Sequence, residues 1–293
     1  MVKVDGVFSG GGMKGFALTG AYQILEEKGL QFERVAGTSA GAILAGFSAA
    51  GYTAKEIIKI MSETKFETLL DSRKTFLPIA KWLLLYWRLG LYKGDAMEQW
   101  IEKNLAVKGV YTFSDLPEGS LRVIASDLSN GRILILPDDL DDYGIPRDSF
   151  PVAKAIRMSC SIPYFFEPVK LRSIAGTSVI TDGGVLSNFP IWIFDREEEK
   201  QKRPIVGIQL SHHIQEKPKR LIKNGIQLFE ALFITMKDAH DARYISRKQE
   251  KNIIFIPTDG IQATEFELSE EKKDALLQLG REKAAAFLKK WTY

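Results

Sequence analysis

The chain has 293 residues, 45% hydrophobic and 26% charged, the balance of a globular protein large enough to bury a sizeable core. A formal net charge of +3 is too mild for a nucleic-acid surface, which needs clustered Lys and Arg. One cysteine, Cys160, excludes an intrachain disulfide framework, and the N-terminus lacks the apolar run of a secretory signal, so a reducing cytoplasm is the expected compartment.

In chain order, 2–8 reads as a strand ending in Ser9 and glycines, and Ala17, Ala21, Ile24 and Leu25 recur at helical spacing until Gly29. A second strand over 32–36 leads into the turn 37–41. Ile43, Leu44, Phe47 and Ala50 then predict a helix closed by Gly51, and Thr53 with Glu56 forms a capping box for a third. The most apolar stretch, 76–92, is broken by Pro78, Lys81, Arg88 and Gly90, short of the roughly 20 residues a spanning helix needs. Within it, Trp82, Leu83, Leu84, Leu85, Tyr86, Trp87, Leu89 and Leu91 read as a cap helix that covers the active site or packs on the core. An interfacial membrane segment flanked by Lys81, Arg88 and Lys93 is the alternative.

Asp95 and Glu98 open another helix, and 121–126 with 132–136 flank an Asn130-Gly131 turn. Later strands fall at 179–181, 205–210 and 253–256, with helical patterns over 221–250 and 270–290. Strands alternating with helices give an α/β class. No linker divides the chain. Residues 4–196 hold the motifs, and 197–293 are expected to complete the same domain.

Acyl transfer needs an exposed nucleophilic oxygen, a base and preorganised donors for the oxyanion. Gly37-Thr38-Ser39-Ala40-Gly41 supplies small residues around a serine where a strand turns sharply into a helix, and the helix N-terminus adds positive potential there. Gly10-Gly11-Gly12-Met13-Lys14-Gly15 lies on the preceding strand-to-helix turn, where glycines let backbone amides converge on an anion. Gly10, Gly12 and Gly15 also match the dinucleotide fingerprint G-x-G-x-x-G, with Glu33 near the place of a ribose-binding acid, so a Rossmann-type oxidoreductase is the competing reading. The base is open between three histidines without supporting motifs, His212, His213 and His240, and a carboxylate, Asp182. An apolar strand delivers Asp182 to the turn Gly183-Gly184.

Taken together and in this order, the glycine block at 10–15, the elbow at 37–41 and Asp182-Gly183-Gly184 resemble the patatin-like phospholipase family. The block from Met158 through Pro163 to Pro168 is similar to that family's Ala-Ser-x-x-x-Pro-x-x-Phe-x-Pro, with Met158 in place of alanine at a packing position. The resemblance spans about two thirds of the chain. It implies a three-layer α/β/α sandwich with a mostly parallel central sheet, and hydrolysis of lipid esters by a Ser39–Asp182 dyad without a catalytic histidine. Amides of Gly10, Gly11 and Gly12 would form the oxyanion hole, and Lys14 is a candidate contact for a phosphate head group. The expected chemistry uses no metal and no organic cofactor. The expected partner is a lipid ester at a membrane or micelle interface, met peripherally, with no nucleic acid.

Overall fold

A computed structural model describes residues 2–71, 85–174, 176–194, 203–211, 222, 231–232, 234–236, 239–241, 247–258 and 261–292. Ten strands are found among them: β1 (Val2–Phe8), β2 (Leu30–Thr38), β3 (Gly90–Tyr92), β4 (Leu121–Asp127), β5 (Arg132–Leu136), β6 (Tyr164–Phe166), β7 (Val169–Ser173), β8 (Gly176–Asp182), β9 (Ile205–Gln209) and β10 (Ile253–Phe255). The main helices are α1 (Gly15–Glu27), α2 (Ala40–Ala49), α3 (Ala54–Glu63), α4 (Asp95–Val107), α5 (Val152–Ser159), α6 (Arg247–Glu250) and α7 (Glu270–Leu288).

Eight strands form one sheet in the order β10-β9-β1-β2-β4-β8-β7, with β5 also on β4. The run β10, β9, β1, β2 and β4 is parallel, whereas β5 and β8 pair with β4 antiparallel, as does β7 with β8. This is the expected mixed α/β architecture, with a mostly parallel sheet and flanking helices. Strands β9 and β10, from the C-terminal third, lie in the same sheet as β1.

The central strands are buried on both faces, so they read as apolar runs rather than alternating ones; in β1 all five residues from Val4 to Phe8 are buried. Helices α1 and α2 follow β1 and β2 in the chain and pack on one face. A second apolar cluster, centred on Val7, Ala36, Ile124, Phe189 and Phe194, covers the other. Helix α7 crosses α1 at close range: a Cβ at Gly20 would strike the Leu277 carbonyl, and one at Gly280 the Ala17 carbonyl. Phe8, Phe16 and Phe47 are fully buried in this core. Truncating one of them to alanine should cost about 3–5 kcal/mol.

One edge of β4 decides where the site forms. β5 runs along Val123 to Asp127 and occupies one edge by itself. β2 and β8 therefore share the other: β2 ends with Thr38 opposite Ile124, and β8 ends with Asp182 opposite Ala125. The carboxyl ends of β2 and β8 thus meet head to head.

The region 76–92 departs from expectation where it is described, Phe76 to Leu84 lying outside the described residues. A short helix over 85–88 leaves Tyr86 76% and Trp87 77% exposed, and Leu89 and Leu91 are exposed too. Leu89 takes a positive φ of 65°, ending the helix, and Gly90 then starts β3, which pairs parallel with β6. Only glycine fits at 90, since a Cβ would collide with the backbone of Phe166 and Glu167. No helix among the described residues is long and apolar enough to cross a membrane.

Candidate active site

The glycine loop and the elbow are the turns that follow adjacent parallel strands, so both open at the carboxyl end of the sheet. At the elbow, Ser39 adopts φ 54° and ψ −123°, a region that costs a non-glycine residue about 1–3 kcal/mol. The flanking glycines are steric requirements: a Cβ at Gly37 would strike the Gly41 carbonyl, and one at Gly41 the carbonyls of Phe8 and Ser9. Ser39 is 6% exposed and stands at the N-cap of α2, yet makes no side-chain capping bond. Its Oγ is thereby spared the helix duty that an N-cap serine ordinarily performs.

The glycine loop lies against the elbow, a Cβ built on Gly10 falling 3.2 Å from the Ser39 Cβ. Gly10 N–H donates to the Asn188 carbonyl at 3.0 Å, and Met13 N–H to the Ala263 carbonyl at 3.0 Å. Gly12 has φ 56°, and a Cβ there would collide with the Ala263 carbonyl. Lys14 closes the 3-10 turn that begins at Gly12; it is half-buried and is not among the residues lining the cavity described below.

Asp182 is 4% exposed and does not sit in a hairpin turn; it caps the 3-10 turn Gly183–Val185, its Oδ1 accepting Gly184 N–H at 2.7 Å. Its own N–H donates to the Ser161 carbonyl at 2.8 Å. Gly183 lies so close to the Ile124 carbonyl that a side chain there would collide with it, and a Cβ would come 3.0 Å from the Thr38 methyl. Thr38 Oγ1 in turn donates to the Ser187 carbonyl at 3.0 Å. Ser39, Gly10 and Asp182 are therefore drawn to one place from three separate parts of the chain.

Cys160 joins them. It lines the same cavity as Ser39, and burial, reinforced by the charge of Asp182, pushes its pKa well above the usual thiol range. It remains a neutral thiol in the cavity wall. Residues that sequence reasoning gave no role also appear. Asn188 carries the carbonyl that takes Gly10 N–H, and its side-chain oxygen lies against Gly10 and Gly184. The buried carboxylate of Asp241 accepts the N–H groups of Asn188 and Phe189 at 3.2 and 3.1 Å. Asn188 stands close after Asp182 in an Asn-Phe-Pro turn and could have been suspected there; Asp241, 53 residues further on, carried no signal.

From Ser39 and Gly12 a cavity of about 70 Å3 runs into the protein, walled by Met13, Phe16, Leu44, Met97, Trp100 and Phe166. Its volume is several times the roughly 10–15 Å3 that one water needs. The lining is almost wholly apolar and includes no histidine among the described residues. His212 and His213 lie outside the described residues, and half-buried His240 neighbours Asp241. Glu33 is in the middle of β2 and pairs with Lys3 at 3.1 Å, away from the carboxyl end where a ribose-binding acid would be needed. Among the described residues no group of three or more His, Cys, Asp or Glu is arranged to hold a metal ion.

A mostly parallel sheet with two adjacent strand-to-helix turns facing an apolar cavity defines an α/β protein whose candidate site lies at the carboxyl ends of its strands. The family model for patatin-like phospholipase matches residues 6–195, well over half of the chain, and the chain belongs to that family. It is 58% identical over 292 residues to the uncharacterized protein YqhO of Bacillus subtilis (strain 168), with 99% of each chain covered. Among solved structures it is similar to VipD from Legionella pneumophila, at 18% identity and TM-score 0.56, covering 98% of this chain and 66% of that one. It is also similar to ExoU of Pseudomonas aeruginosa in its complex with SpcU, at 18% identity and TM-score 0.55, covering 98% of this chain and 51% of that one. The chain thus spans two thirds or less of those two proteins, and at these identities the likeness concerns the fold.

Proposed function

We propose that the chain is a serine lipid acyl hydrolase of the carboxylic ester class, with Ser39 as nucleophile and Asp182 as its base. The observation that carries this reading is the head-to-head meeting of β2 and β8 on one edge of β4, at the mouth of an apolar cavity. In this mechanism the acyl chain enters the cavity, Asp182 takes the Ser39 proton, and Oγ attacks the ester carbonyl. Collapse of the tetrahedral intermediate releases the alcohol, which takes up the proton, and water then attacks the acyl enzyme to release the fatty acid. Gly10 N–H is already given to Asn188, so the oxyanion falls to the amides of Gly11 and Gly12, while Gly10 keeps the loop against Ser39. Lys14, at the edge of the loop, is assigned to a phosphate head group. The test is turnover of a water-soluble p-nitrophenyl ester by wild type, Ser39→Ala and Asp182→Asn. Each variant should lose about 10^3-fold or more in kcat; wild-type turnover by Ser39→Ala rejects the mechanism.

The partner this reading requires is a lipid surface, met peripherally. We assign that contact to the exposed Tyr86, Trp87, Leu89 and Leu91, which the β3–β6 pairing brings beside exposed Tyr164 and close to Phe166 of the cavity wall. Aromatics beside Arg88 and exposed Lys93 suit a headgroup layer. Trp87→Ser with Leu89→Ser, made in a Ser39→Ala background, should weaken co-sedimentation with phosphatidylglycerol vesicles about 100-fold or more, the scale expected from losing two buried apolar side chains at about 1.5 kcal/mol or more each. In the wild-type background, turnover of the soluble ester should be unchanged; undiminished vesicle binding would reject this face. A single free cysteine fits a reducing compartment, and we infer the cytoplasm.

A further inference from the structure

We propose that Ser159 is a positioning residue for the nucleophile, and that the three residues 159–161 set the spacing between Ser39 and Asp182; this rests on the assignment of Ser39 above. Ser39 holds its positive φ without being glycine, so something must keep its backbone from relaxing. Its N–H donates to Ser159 Oγ at 2.8 Å, in a site where Ser159 is wholly buried. The Ser159 hydroxyl proton is itself committed, donating to the Ile124 carbonyl at 2.5 Å, which leaves the oxygen's lone pairs for the Ser39 amide. Ile124 is the residue opposite Thr38, so the clamp ties the elbow to the edge of β4 on which β2 ends.

Two residues later the Ser161 carbonyl takes the N–H of Asp182, which stands opposite Ala125 on that same edge. One short segment therefore grips the backbone on both sides of the gap across which the proton would move, with Cys160 between the two grips. The segment has its own anchor. Buried Arg157 donates to Ser161 Oγ, to the carbonyls of Gly94 and Glu167 at 2.9 Å each, and to the Lys93 carbonyl at 2.5 Å. Ser161 Oγ returns a bond to the Arg157 carbonyl at 2.9 Å.

Removing Ser159 Oγ takes the acceptor from a buried amide and frees the elbow to turn, moving Ser39 Oγ relative to Asp182. A displacement near 1 Å costs about 10^2-fold in rate. Ser159→Ala, Ser159→Cys, Ser39→Ala and wild type are compared by kcat and KM on the soluble ester, by the rate of fluorophosphonate labelling, and by Tm. Cysteine keeps the volume while weakening the acceptor, and so reports even where alanine fails to fold. Ser159→Ala should lower kcat and labelling about 10- to 100-fold with KM within about twofold, and Ser159→Cys should lower them in the same direction. Folded Ser159 variants that turn over and label at the wild-type rate would overturn the proposal, whatever their Tm, since a packing role alone moves Tm and not kcat. Full activity in Ser39→Ala would overturn the nucleophile assignment, and this inference with it. Inactive Ser39→Ala beside fully active Ser159 variants rejects the clamp alone.

Discussion

The turns after β1 and β2 hold almost the same backbone angle in opposite ways. Gly12 has φ 56° and Ser39 has φ 54°, on neighbouring strands and beside the same cavity. At Gly12 only backbone is required, and glycine takes the left-handed region without strain while its missing Cβ lets the Ala263 carbonyl approach. At Ser39 a side-chain oxygen occupies a position where glycine would be relaxed. The strain is held by the bond to Ser159 and by the Ser39 carbonyl, which accepts the N–H groups of Ala42 and Ile43 at 2.8 and 3.2 Å. The pair shows the chain keeping a costly conformation at a serine, which the proposed mechanism makes the nucleophile.

The sharpest way to break this comparison is Ser39→Gly. It should lose about 10^3-fold or more in ester turnover, as alanine does, because the oxygen is gone. Its Tm should nonetheless lie above that of Ser39→Ala, since glycine sheds the strain; a Tm below alanine's would show that none is stored. The converse change, Gly12→Ala, should destabilise by about 1–3 kcal/mol in urea unfolding, through positive φ and the collision with Ala263. A neutral result would mean that the loop shifts freely.

A smaller effect contrasts the two helix starts. Ser39 leaves α2 without a side-chain cap, whereas Thr53 caps α3 through a full box with Glu56. Thr53→Ala should therefore cost about 1 kcal/mol of stability by urea unfolding. The smallest effect is pH-dependent. Bonds from the Thr53 backbone, then from Lys108 and the Thr53 hydroxyl, lower the Glu56 pKa from 4.5 to about 2. A carboxylate depressed on folding stabilises above its unfolded pKa, so this contribution should fade as pH drops from 4.5 through about 2. Glu56 is a surface group and the effect is small; a Glu56→Gln variant whose Tm-against-pH curve parallels wild type over that range would count against it.

What could be read from the chain was local. The strand, glycine loop and helix at 2–27 and the strand, elbow and helix at 30–49 follow from apolar runs punctuated by glycine, and both formed with ends shifted by a few residues. The capping box formed as written. Burial was the weaker inference: Tyr86, Trp87, Leu89 and Leu91 read as a covered helix, yet they are exposed on a short helix and on the strand β3, which pairs with β6 where Gly90 admits its backbone. Ser159 lay inside a motif block without a visible duty, and the duty of Asp241 depends on a partner 53 residues away.

By itself, then, the sequence determined that two adjacent turns would present a serine and a run of glycines, because a turn's steric demands are met by the residues within it. It named Asp182 as a carboxylate at the end of a strand. The tertiary structure alone decided that Asp182 arrives beside the strand end that leads into Ser39, because β2 and β8 divide one edge of β4 at Ile124 and Ala125. Such a division depends on the register of strands far apart in the chain, and register is set by packing across the whole sheet rather than by the spacing of any motif.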